Sequence, residues 1–193
     1  MKIVTPQSLP RERLGTDLRS GSVHEIWRDP DDEVDPRWSL SLVDVKRNVK
    51  SLHRPEGTVD HWLGISGPQL RLVDGIRQEK VRADHQIVVE STTPLLLLRS
   101  SIGRAKSTRL LRVTRKSEMQ PIILGRVFVS DPIEFDPDVR AIYLISGRLR
   151  LADTELAEGE AAIFDETVPP VMHSDGAFVA TMAIPCVEVP PGS

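Results

Sequence analysis

Large apolar side chains recur at every second position in several short stretches of the chain. Trp38, Leu40 and Leu42 alternate with Ser39 and Ser41, Leu70 and Leu72 flank Arg71, and Leu149 and Leu151 flank Arg150. Phe178, Ala180, Met182 and Ile184 keep the same step near the end. A step of two is the period of a strand with one face on a core and the other on water. Gln86 to Val89 and Leu95 to Leu98 are short apolar runs bounded by polar or turn residues, the pattern of strands buried on both faces. The 15 Pro and 12 Gly are scattered and leave no room for long helices. Many short strands between turn signals predict an all-β sandwich or barrel. Two helical segments are expected at most, a turn near Pro10 to Leu14 and one near Lys106 to Leu111. The stretch up to about Arg37 reads as a polar, Pro-rich approach to the first long strand. Its acidic run Asp29-Pro30-Asp31-Asp32-Glu33 reads as a solvated loop.

The chain also repeats itself. Ile65-Ser66-Gly67, followed by Leu70-Arg71-Leu72 and Asp74, returns as Ile145-Ser146-Gly147, followed by Leu149-Arg150-Leu151 and Asp153. The two glycines stand 80 positions apart, at 67 and 147. Val88-Val89-Glu90-Ser91-Thr92-Thr93-Pro94 then matches Ile163-Phe164-Asp165-Glu166-Thr167-Val168-Pro169 at an offset of 75. Two matches in the same order at nearly the same offset indicate duplication, with a period too long for a solenoid. Each unit reads strand, Gly turn, alternating strand, loop, apolar strand, Pro turn. The glycine takes a positive φ in a tight turn. Two such sheets must cover each other's apolar faces or close into barrels. We place the boundary between residues 115 and 116, giving modules 1–115 and 116–193.

Composition narrows the function. The 193 residues carry 25 Lys and Arg against 28 Asp and Glu, a net charge of −3. A chain of this length buries roughly 70% of its unfolded surface and needs no staple to fold. The single Cys186 excludes a disulfide framework and a multi-Cys zinc site, and its apolar setting reads as an inert buried thiol. Balanced charge argues against nucleic acid as a partner. No apolar run reaches the ~18 residues of a membrane span, and charge and Pro come too early for a signal peptide. The expected location is the cytoplasm. No Gly-x-Ser-x-Gly elbow or Gly-rich phosphate loop is present.

The second unit, from Ala141-Ile142-Tyr143-Leu144-Ile145-Ser146-Gly147 through Leu156-Ala157-Glu158-Gly159-Glu160-Ala161-Ala162-Ile163-Phe164, resembles a cupin module. The whole chain resembles the HutD/Ves family of bicupins. Ile3-Val4-Thr5-Pro6, Ser8-Leu9-Pro10, Val23-His24-Glu25-Ile26 and Trp38-Ser39-Leu40-Ser41-Leu42 follow that family's opening in order. The family's Asn and most of its Gly are missing from Leu18 to Glu25, and His24 stands where Arg is expected. The resemblance implies two fused cupin-like jelly-roll modules and a small amino-acid derivative with carboxylates as ligand. It also implies a link to histidine catabolism or stress response, with no established chemistry.

Metal-holding cupins use a His-x-His pair, a Glu and a later His. Imidazole and carboxylate at alternate strand positions suit Fe, Mn, Ni or Zn. Counting from Gly147 puts Arg140 in the Glu slot and Glu134 and Asp136 in the paired-His slots. Pro170 falls in the last slot, with His173 three residues late. A guanidinium does not deprotonate to coordinate. In the first unit Asp60 takes the Glu slot, His53 stands near the pair and Leu95 fills the last slot. Strict alternation sends Asp60 and His61 to opposite faces. We expect no metal and no cofactor.

The stretch Arg99 to Lys116 holds seven basic residues and no aromatic one, so it offers no base-stacking platform. It reads as a solvated connection between modules, or as a patch facing a carboxylate. The expected ligand-binding residues are Glu25, His53, Asp60, His61, Arg109 and Arg112, with no catalytic residue. The leading expectation is a metal-free, non-catalytic cupin-like protein binding a small carboxylate. One rival is a metal-independent isomerase or epimerase with His53 or His61 as base. Another is an interaction module that forms a homodimer through the exposed face of the sheets.

Overall fold

The computed structural model describes residues 1–15, 19–30, 36–52, 54–90, 94–99, 107–130, 132–165, 172–174 and 176–185. In the first half the strands are β1 (Lys2–Val4), β2 (Glu12–Arg13), β3 (Gly21–Asp29), β4 (Trp38–Val45), β5 (Val49–Leu52), β6 (Thr58–Ser66), β7 (Leu70–Asp74), β8 (Arg77–Val81), β9 (Ile87–Val89), β10 (Leu95–Arg99) and β11 (Thr108–Lys116). The second half supplies β12 (Ile123–Val129), β13 (Val139–Ser146), β14 (Leu149–Leu151), β15 (Thr154–Leu156), β16 (Ala161–Ile163), β17 (Met172–Ser174) and β18 (Ala177–Ala183). The one helical element among the described residues is a 3-10 turn at Pro6–Ser8.

The strands form four sheets, ordered β5-β10-β7-β8, β2-β3-β4-β11-β6-β9, β1-β16-β13-β18-β12 and β15-β14-β17. The duplication is visible in the pairing. Just as β6 lies between β11 and β9, β13 lies between β18 and β16, and β7 between β8 and β10 matches β14 between β15 and β17. The repeated glycines do the same work in both halves. Gly67 has φ +101° and Gly147 φ +93°. A Cβ would lie 2.4 Å from the Ser107 carbonyl oxygen at the first and 2.2 Å from that of Gly176 at the second. The backbone therefore approaches its neighbour at a distance only glycine permits.

Three apolar cores separate the sheets. Val43, Val45, Trp62, Leu72, Leu97 and Leu110 fill the space between the two N-terminal sheets. Ile142, Leu144, Leu149, Leu151, Leu156 and Phe164 fill the corresponding space in the C-terminal half. Between the halves, Leu40, Leu42, Leu63, Leu111 and Val113 of the six-stranded sheet meet Tyr143, Ile163 and Met182 of the five-stranded one. The central strands of the six-stranded sheet are thus buried on both faces.

Several local expectations change. Residues 10–14 contain the short β2, and the segment from Thr108 to Lys116 is a central strand, not a helix or a solvated connection. The stretch before Arg37 contains the nine-residue β3, paired to both β2 and β4. β1 joins the C-terminal sheet by pairing with β16, so the strand pairing crosses the 115/116 division. Asp31 to Glu33, Cys186 and the 190–193 tail lie outside the described residues.

Candidate ligand cavity

Alternation along β3, β4, β11 and β6 delivers two kinds of side chain to the inside of the N-terminal sandwich. At one end the inward residues are Val43, Val45, Leu110 and Trp62, and the space is packed. Toward the other end they become polar. Cross-strand register puts Glu25 beside Ser41, Ser41 beside Arg112, and Arg112 beside Trp62. The next row runs Arg28, Ser39, Thr114, Asp60. Glu25, Ser41 and Arg112 of the first row and Arg28, Ser39 and Thr114 of the second line a cavity of about 500 Å³, walled also by Glu12, Arg13, Ser51, Leu52, Thr58 and Arg115.

Two ion pairs frame the wall. Asp60 is fully buried and accepts from Arg112 Nε at 3.0 Å, Arg112 Nη2 at 2.8 Å and Thr114 Oγ1 at 2.6 Å. The Arg112 guanidinium also lies 5.1 Å from the Trp62 ring centroid, where the π face attracts a cation. A fork held on two sides is pre-organised and loses little freedom when it meets a third group. On the far strand Arg28 donates through both Nε, at 2.7 Å, and Nη2 to the same oxygen of Glu25, Oε1. Ser39 and Ser41 stand between the pairs, and neither hydroxyl has a hydrogen-bond partner among the described residues.

The sequence-derived residues divide by face. Glu25 and Arg112 line the cavity, and Asp60 lies behind Arg112. His61 points the other way, toward the seam between the halves, where its Nε2 accepts from Arg115 Nε at 3.1 Å. Burial and the Arg115 charge hold the His61 pKa below its ordinary value. Arg115 in turn donates through Nη1 to the carbonyls of Lys116, Ser117 and Met119, which fixes the chain as it leaves β11. Arg109 also faces the seam, bonding Asp44 Oδ1 at 3.2 Å. Burial opposes the charge on Arg109, but Asp44 and Tyr143 outweigh it and raise its pKa, while burial raises that of Tyr143. His53 lies outside the described residues. Sequence reading missed Arg28, Thr114 and the two serines. The signal for the serines is their alternation with Trp38, Leu40 and Leu42, a pattern that by itself reads as a water-facing edge.

Three of the slots in which metal-holding cupins carry ligands are otherwise engaged, and the His53 and Pro170 positions lie outside the described residues. Asp60 is committed to Arg112 and Thr114, Leu95 is buried in the apolar core, and Arg140 Nη1 donates to the Pro137 carbonyl at 2.7 Å. Among the described residues, no group of three or more His, Cys, Asp or Glu side chains is placed to hold an ion.

No family model matches the sequence, and no curated protein matches it. Solved structures do. A conserved protein of unknown function from Pseudomonas aeruginosa is 17% identical with a TM-score of 0.72, the match covering 94% of this chain and 97% of that one. HutD from Pseudomonas fluorescens is 13% identical with a TM-score of 0.70, over 94% and 97%. A deletion mutant of Bacillus subtilis oxalate decarboxylase is 9% identical with a TM-score of 0.66, over 94% and 76%. The fold is cupin-like. At these identities the likeness speaks for the fold alone. Within this cupin fold the two halves differ: the C-terminal interior is packed with Phe135, Phe164 and aliphatic side chains, whereas the N-terminal interior holds the polar cavity. No helix among the described residues is long and apolar enough to cross a membrane.

Proposed function

We propose that this chain binds a small carboxylate, or an amino-acid derivative bearing one, in the cavity of its N-terminal half. On this reading it is a non-catalytic regulatory or stress-related protein and a divergent relative of HutD and Ves. The observation that carries the binding reading is Arg112. Its Nε and Nη2 are locked onto Asp60, and its guanidinium, 5.1 Å from the Trp62 ring centroid, stands on the wall of the cavity beside serine hydroxyls that have no partner among the described residues. A pre-oriented guanidinium next to hydroxyl donors is suited to a planar anion. The HutD/Ves assignment rests on the opening motifs together with the fold shared with HutD at a TM-score of 0.70. The isomerase alternative loses support at His61, whose Nε2 is taken by Arg115 on the opposite face; His53, its other candidate base, lies outside the described residues.

A thermal-shift screen with small carboxylates, histidine-pathway intermediates included, tests the reading. A ligand at 100 times its Kd adds ~2.7 kcal/mol. Arg112→Lys keeps a charge beside Asp60 and removes the fork, so it should abolish the shift while leaving a folded protein. A wild-type protein that responds to no acid overturns the proposal.

A further inference from the structure

Among the described residues, the cavity wall carries an unused acceptor as well as an unused donor. Both donors of Arg28 converge on Oε1 of Glu25, so neither engages Oε2. Both Arg112 contacts to Asp60 run through Nε and Nη2, so neither engages Nη1. Glu25 and Arg112 lie in one cross-strand row with Ser41 between them. Their backbones are two strand spacings apart, roughly 10 Å. Two hydrogen bonds of ~2.8 Å and a small molecule with about 4–5 Å between its charged ends span a gap of that order. Among the described lining residues the charges balance: Glu12 and Glu25 stand against Arg13 and Arg28, Arg112 is offset by Asp60 behind it, and the Arg115 guanidinium is turned to His61 on the opposite face. A site so balanced gives a simple dianion little advantage. It suits a molecule with charge of both signs.

We propose that the ligand is a small zwitterion, an amino acid or amino acid-like molecule, with its carboxylate on Arg112 and its ammonium on Glu25. This deepens the reading above and rests on it. Glu25 is then the residue that sets specificity, since it rejects carboxylates lacking an amine by leaving its own oxygen desolvated and unpaired. The serine hydroxyls serve either end, as donors to the carboxylate or acceptors from the ammonium.

Matched probes test this by calorimetry: γ-aminobutyrate, butyrate and n-butylamine, with alanine, propionate and ethylamine as the shorter set. At least one amino acid should bind about tenfold tighter than its deaminated partner, as expected for one added charge-assisted hydrogen bond. Its amine alone should not bind. Glu25→Gln preserves shape and an acceptor for Arg28, and should erase the difference while leaving carboxylate binding in place. Equal affinity for the amino acid and the plain carboxylate overturns the zwitterion proposal and leaves carboxylate binding standing. Amine binding without a carboxylate overturns both, as does silence from every probe. The wild-type comparison decides the matter even if Glu25→Gln does not fold.

Discussion

Asp60→Ala isolates the contact on which the cavity wall depends. The substitution removes a fully buried carboxylate and three hydrogen bonds, two from Arg112 and one from Thr114. It leaves a guanidinium that is only 13% exposed without its counter-ion. Breaking a buried pair by deleting one partner costs about 3–5 kcal/mol, mostly from the stranded charge. At ~2–4 °C per kcal/mol for a chain of this size, the melting temperature should fall by roughly 6–20 °C. The double variant Asp60→Ala/Arg112→Met removes the stranded charge and should recover more than half of the loss, a coupling of about 1–3 kcal/mol. Urea unfolding followed by tryptophan fluorescence reads both, because Trp62 lies directly under the guanidinium. Equal m-values would show that the variants unfold the same surface. A cost below about 1 kcal/mol for Asp60→Ala, or a double variant as unstable as the single one, would refute the view that this pair is buried and coupled.

Two further outcomes are expected. The His61 pKa is held below its ordinary 6.5 by burial and by Arg115. The unfolded chain therefore takes up the proton first, and stability present above pH 6.5 is lost as the pH falls through the lower folded-state value. His61→Gln retains an acceptor for Arg115 and should flatten the acid limb of a stability-versus-pH curve; an unchanged limb would show that His61 is not its source. Gly147→Ala combines a positive φ with a Cβ 2.2 Å from the Gly176 carbonyl oxygen and should destabilise the protein by more than about 2 kcal/mol in urea unfolding.

The parts of the fold legible in the sequence were those in which neighbouring residues constrain one another. Ile65 to Asp74 and Ile145 to Asp153 each combine a tight turn with a half-wet strand. Both features leave marks at fixed spacing, Gly at the turn and Arg between two Leu. β11 left no such mark. Leu111 and Val113 face one core and Leu110 the other, so hydropathy does not alternate along it. Its arginines resemble a solvated run because their partners, Asp60 and His61, lie some 50 positions earlier. The site was hidden for the same reason. Glu25 and Arg112 were selected as separate residues, and only the register of β3, β4 and β11 sets them in one row. Ser39 and Ser41 looked like a solvent edge because a polar cavity and bulk water impose the same pattern on a strand.

β1 sets a timetable as well as an edge. Lys2 pairs with Ile163 and Val4 with Ala161, and the Thr5 hydroxyl donates to Glu160 at 2.9 Å. On a ribosome adding ~5–20 residues per second, the first strand waits roughly 8–30 s for its partner to be made. The six-stranded sheet, complete once β11 has been synthesised, can assemble in that interval. The five-stranded sheet closes late, around a segment that emerged at the outset. A bulky fusion placed before Lys2 therefore acts on the last step of assembly and on the C-terminal half, far along the sequence from where it is attached.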